Sequence, residues 1–128
     1  MKLLLDTHVL LWLAHEPNKL SALVRDAIES GDHAILVSAV SAMEIATKHR
    51  NEKLEYRTSL ATHFTREVES QGFTPLAISC EHAQWAGNIT SLHKDPWDRL
   101  LAAQAQLDKL AVVTVDKFFA EIGVTTFW

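Results

Sequence analysis

Three short apolar runs constrain this chain most: KLLL at its start, AILVS at 34–38 and AVVTV at 111–115. Each reads as a buried strand, too short for a helix of the usual length. Each also ends on a polar residue (Asp6, Ser38, Asp116), and amphipathic segments separate them. Strands alternating with helical segments favour a parallel sheet, because parallel neighbours need a crossover and the crossover is normally a helix. The expectation is one α/β domain over residues 1–128, a central parallel sheet flanked by helices on both faces.

The intervening segments bear this out. In LSALVRDAIESG, Leu20, Leu23, Val24, Ala27 and Ile28 fall on one helical face, and Gly31 suits the end. Ser38 is placed to cap a helix AVSAMEIATKHR. A polar connector, NEKLEYR, follows. Leu60, Phe64 and Val68 recur every four residues, which predicts a helix ending near Gly72. FTPLAIS reads as a third strand, held to an edge or a strand start by Pro75. Ser79 caps a short helix through Trp85, PWDRLLAAQAQLDKL is the strongest helix in the chain, and VTTFW closes as a last strand. Trp12, Trp85 and Trp97 are taken as core. No repeat, low-complexity tract or linker interrupts the pattern.

Hydrophobic residues make up 48% of the 128, enough for a core. The formal charge of −4, from 12 Lys+Arg against 16 Asp+Glu, is not that of a basic nucleic-acid domain, although a local basic patch remains open. One cysteine, Cys80, excludes an intrachain disulfide and a cysteine zinc cluster. Asp6 and His8 break the first apolar run, so it reads neither as a signal peptide nor as a membrane span. A cytoplasmic protein without a membrane partner is expected.

Why a core strand should end in a carboxylate is the functional question. In open α/β sheets, sites form outside the carboxyl ends of the strands. Asp6 and Asp116 end strands there. Glu44 lies in the second turn of the helix after 34–38, and Asp98 lies at the start of the helix opening at Pro96. Only the fold can gather four residues so far apart in sequence. Gathered, they would repel one another unless a divalent cation sat among them, and an all-oxygen donor set suits Mg²⁺ or Mn²⁺. Each acid also has a purely local reading. Asp6 and Asp116 are well placed as helix N-caps, and Glu44 can pair with Lys48 four residues on. In DPWD, Asp95, Pro96 and Asp98 form a good helix start by themselves.

Taken together, LLLDTHVLLWLA (3–14), LVSAVSAMEIATK (36–48), HKDPWDRLLAAQA (93–105) and VVTVDKFF (112–119) resemble PIN-domain proteins, most closely the VapC-type toxins of toxin–antitoxin pairs. The resemblance covers residues 2–128. It implies a metal-dependent endoribonuclease whose carboxylates, Asp6, Glu44, Asp98 and Asp116, are catalytic and hold Mg²⁺ or Mn²⁺. Thr7 and Thr114 occupy supporting positions. The resemblance also implies an RNA substrate, a homodimer and a cognate antitoxin lying across the groove.

Phosphate contacts need cations. Lys48, Arg50, Lys53 and Arg57 crowd the end of the Glu44 helix, and either meet RNA or complement the helix C-terminus. Arg99 either meets a phosphate or pairs with Asp95. The histidines lack zinc-site spacing and are read as structural. Leu10, Leu11, Leu20 and Val24 belong either to interfaces or to the core. The alternatives to a nuclease are a catalytically silent PIN-like binding module and a phospho-receiver. A receiver would need adjacent acids after the first strand, where Thr7 and His8 stand.

Overall fold

The computed structural model describes all residues, Met1–Trp128. In chain order the elements are β1 (Lys2–Leu5), α1 (Thr7–His15), α2 (Ala22–Ser30), β2 (Ala34–Ser38), α3 (Ala39–Arg50), α4 (Phe64–Ser70), β3 (Thr74–Leu76), α5 (Cys80–Asn88), α6 (Pro96–Asp108), β4 (Ala111–Val113), α7 (Lys117–Glu121) and β5 (Thr126–Phe127). The five strands are all parallel, in the order β3-β2-β1-β4-β5. β1 is central, with Leu4 opposite both Leu36 and Val112.

Because successive side chains on a strand point to opposite faces, the central strands divide their residues between two cores. Leu3, Leu5, Ile35, Val37, Ala111 and Val113 pack under α1, α2 and α4. Leu4 and Val112 pack on the other face against Leu101, Ala102 and Ala105 of α6 and Phe118 and Phe119 of α7. Helix α3 serves both, sending Val40 to one and Ile45 to the other. This is the expected three-layer sandwich. Leu10, Leu11, Leu20 and Val24 are buried in it. No helix is long and apolar enough to cross a membrane.

Four local expectations change. The helix through Leu60, Phe64 and Val68 breaks into a single 3-10 turn, Ser59–Ala61, and then α4. The Thr58 hydroxyl accepts from the Leu60 N–H there, offering the backbone an alternative to a continuous helix. The strand in FTPLAIS shrinks to β3, on the edge that Pro75 demands, and the Ala77 carbonyl turns to a side chain instead. Leu23 is exposed, whereas its face-mates Val24 and Ala27 are buried. Trp85 is not core: α5 runs on to Asn88, and the indole is 47% exposed, with its N–H donating to Gln106.

One buried polar network fixes the sheet to α6. The Ser38 hydroxyl caps α3 through the Val40 N–H at 2.9 Å and donates to Gln104 Oε1 at 2.6 Å. The Gln104 amide in turn donates to the Ala77 carbonyl. Both side chains are fully buried, so replacing one strands the other away from water. Gln104→Leu, which roughly keeps the volume, is expected to cost about 1–3 kcal/mol. Urea unfolding should show a lower midpoint at unchanged slope, and an unchanged midpoint would mean that the network contributes nothing.

Candidate active site

The carboxyl edge of the sheet opens into a groove of about 560 Å³, whose lining includes Asp6, Glu44, Asp95, Asp98 and Asp116 together with His8, Lys48 and His93. All four acids singled out in the sequence meet there.

Asp6 leaves the central strand and stands at the N-cap position of α1, yet its carboxylate makes no capping bond. It is 6% exposed and accepts instead from the Thr114 hydroxyl, at the end of β4, at 2.7 Å. The capping reading of Asp6 therefore fails at the side chain: the carboxylate is turned toward the groove. Burial pushes its pKa up, against the pull of the Thr114 hydrogen bond. Thr7, also buried, joins its hydroxyl to that of Ser41 at 2.8 Å and so ties the start of α1 to α3.

Glu44 is 5% exposed, and its Oε2 lies 2.6 Å from Lys48 Nζ. The helix pair forms, and the same carboxylate also lines the groove. Asp98 sits at the third position of α6, behind Asp95 and Pro96. Asp95 caps that helix through one oxygen, Oδ1, which accepts from the Trp97 and Asp98 N–H groups. The Asp98 carboxyl lies 2.9 Å from His93 Nε2. Burial raises its pKa to about 6, the His93 hydrogen bond opposes this, and the charges of Asp95, Asp6 and Asp116 add to it. Asp116 caps α7, its Oδ1 accepting from the Phe118 N–H at 3.0 Å, while its own N–H donates to Thr114 Oγ1. The cap uses one oxygen and leaves the other.

Of the candidate phosphate ligands, Lys48 lines the groove. Lys53 lies in an adjoining cleft with Thr7, His8, Trp12 and Tyr56. Arg99 is not among the residues that line the groove. All five of its N–H donors are engaged on carbonyls, those of Ala86, Gly87, Ile89, Ser91 and His93. It forms no ion pair with Asp95 and holds the segment between α5 and α6 in shape. Groove residues missed as site members include His93 and Asp95. HKDPWD carried the only signal, and its good helix-start chemistry masked it.

The donor set fits a hard divalent cation. Carboxylates outnumber cationic side chains in the groove, and neither Asp6 nor Asp98 has a salt-bridge partner beyond the His93 imidazole. Asp95 and Asp116 each keep an oxygen outside their caps. Asp6, Glu44 and Asp98, with those free oxygens, are the residues that would hold the ion.

Fold and groove together define a parallel α/β domain with a cluster of carboxylates at its sheet edge. Comparison with known proteins agrees. Residues 3–124 match the PIN domain. Ribonuclease VapC22 of Mycobacterium tuberculosis is 31% identical over 117 residues, which span 89% of this chain and 86% of that one. The chain therefore belongs to the PIN-domain family. Among solved structures, VapBC2 from Rickettsia felis, bound to a DNA fragment from its promoter, superposes with a TM-score of 0.71 at 13% identity, covering 98% of this chain and 96% of its own. VapBC-1 from nontypeable Haemophilus influenzae gives 0.70 at 10% identity over 99% and 97%. Likeness at such identities concerns the fold.

The raised carboxyls set a sign for pH dependence. Asp98 takes up its proton near pH 6 when folded and near its ordinary 3.8 when unfolded. The metal-free native state thus holds more protons between these values. The contribution to stability is fully present below about pH 4 and is lost as pH rises through about 6. In EDTA, melting temperature should fall over this range, and Asp98→Asn should flatten the fall. Asp6→Asn should raise the metal-free melting temperature at neutral pH, as loss of a buried charge. A large drop would make Asp6 a structural cap.

Proposed function

We propose that the protein is a VapC-type toxin: a divalent-metal-dependent endoribonuclease held in check by a cognate antitoxin. The observation that carries this reading is Asp6. Its carboxylate is buried, forgoes the cap that its position offers, and faces a groove shared with acids from three other segments. Membership of the PIN family and the 31% identity to a ribonuclease support it.

A bound Mg²⁺ or Mn²⁺ would supply Lewis acidity, offsetting charge on the phosphodiester and favouring attack by water at phosphorus. The protein's own part is positional. Asp6, Glu44 and Asp98 present oxygens from three separate elements, and Thr114 holds Asp6 in one orientation. Thr7 and Ser41 lock α1 against α3, which keeps Asp6 and Glu44 in register. Lys48, at the rim and already beside Glu44, is the cation best placed to meet a substrate phosphate. Asp116 contributes through the oxygen its cap leaves free.

An acidic groove repels RNA until a cation occupies it, and the same groove attracts a basic residue. An antitoxin arginine laid into it would satisfy the carboxylates and close it to substrate. That the structural neighbours are VapBC complexes supports an antitoxin partner. A homodimer and a cytoplasmic location, where RNA and antitoxin are made, complete the proposal.

The test is cleavage of total cellular RNA by antitoxin-free protein in Mg²⁺, Mn²⁺ or EDTA, beside Asp6→Asn. Discrete fragments should appear with either metal, vanish in EDTA, and form at least about a hundredfold more slowly in the variant, the upper end of the loss from a merely supporting residue. A folded, metal-binding protein that cleaves nothing would favour the silent binding module.

A further inference from the structure

His93 is a groove residue to which the carboxylate reading gives no role. Its Nε2 stands 2.9 Å from Asp98 Oδ2, and a ligand atom from each of His93, Asp95 and Asp98 can be chosen so that all lie within 4.8 Å of one another. Two atoms bound about 2.1 Å from one ion, at right angles, stand about 3 Å apart. The 2.9 Å separation is that of an ordinary hydrogen bond and equally matches the spacing of two neighbouring ligands on one ion.

The imidazole is also held in place. Its ring stacks on Phe118, centroids 4.1 Å apart and planes 22° from parallel. Its backbone is fixed on both sides: the His93 N–H donates to Ser91 Oγ, and the His93 carbonyl accepts from Arg99 at 3.0 Å. Arg99 follows Asp98 directly in the chain. One guanidinium thus positions the histidine against the neighbouring residue's carboxylate.

We propose that His93 is a direct nitrogen ligand to the divalent cation of the carboxylate groove, beside Asp95 and Asp98, and that it biases the site toward Mn²⁺ over Mg²⁺. The inference rests on the groove being a metal site, as proposed above. Imidazole suits the first-row transition ions, whereas Mg²⁺ takes oxygen donors. Arg99 is then a positioning residue for this ligand and does not touch RNA.

The experiment is titration of antitoxin-free, full-length protein with MnCl₂ and with MgCl₂, together with pulsed EPR of bound Mn²⁺. Wild type is compared with His93→Ala, His93→Gln and Asp6→Asn, all checked as folded by metal-free melting. Wild-type Mn²⁺ should show imidazole nitrogen coupling, absent from both His93 variants. Mn²⁺ affinity should fall about tenfold or more in both, while Mg²⁺ affinity moves much less. Glutamine keeps an N–H for Asp98 but has no imidazole nitrogen. If it restores Mn²⁺ affinity, or if wild type binds Mn²⁺ without nitrogen coupling, His93 only orients Asp98 and the proposal is overturned. If wild type and Asp6→Asn alike bind neither ion, the metal-site reading itself fails, and this proposal with it.

Discussion

Burying the Asp6 carboxylate at the end of a strand of leucines carries a desolvation cost of several kcal/mol unless charge or hydrogen bonds offset it. Here the Thr114 hydroxyl and the Thr7 backbone offset part of it, and burial still raises the pKa. The remaining arrangement follows from where that carboxylate must stand. β1 is central, so Asp6 emerges in the middle of the carboxyl edge. β4 beside it delivers Thr114, and α3, springing from the other neighbour β2, delivers Glu44.

Capping and site chemistry share the same residues without competing. Asp95 and Asp116 each spend one oxygen on a helix N-terminus and keep one for the groove. The N-termini themselves lie at this edge, so their partial positive charge acts on the acids that line it. Asp6 differs in standing at an N-cap position without capping, its carboxylate accepting from Thr114 and lining the groove instead.

Two polar assemblies support the edge from behind. Ser38 and Gln104 tie the end of β2 to the middle of α6 in a dry core, and Arg99 gathers five carbonyls between α5 and α6. Both hold α6, the helix that carries Asp98, and Arg99 also holds the segment carrying His93. Arg99 places every donor on carbonyls of its own chain, an arrangement that its nearness to Asp98 in sequence does not reveal.

The layers, the parallel sheet and four of the five groove acids were legible in the residues, because strand runs, helix periodicity and capping patterns are local and each repeats a known physical preference. The family motifs then tied the acids together. Local pattern does not report which atoms a long side chain reaches. Nothing near Arg99 in sequence shows that it turns onto carbonyls, and nothing in HKDPWD shows that His93 bends back onto Asp98. Whether the Leu60–Val68 repeat is one helix or two, and whether Trp85 is covered, depended likewise on competing hydroxyls and on which surfaces neighbouring elements occupy. These are matters of three-dimensional packing, where groups far apart in the chain meet and the environment they make together sets each one's role.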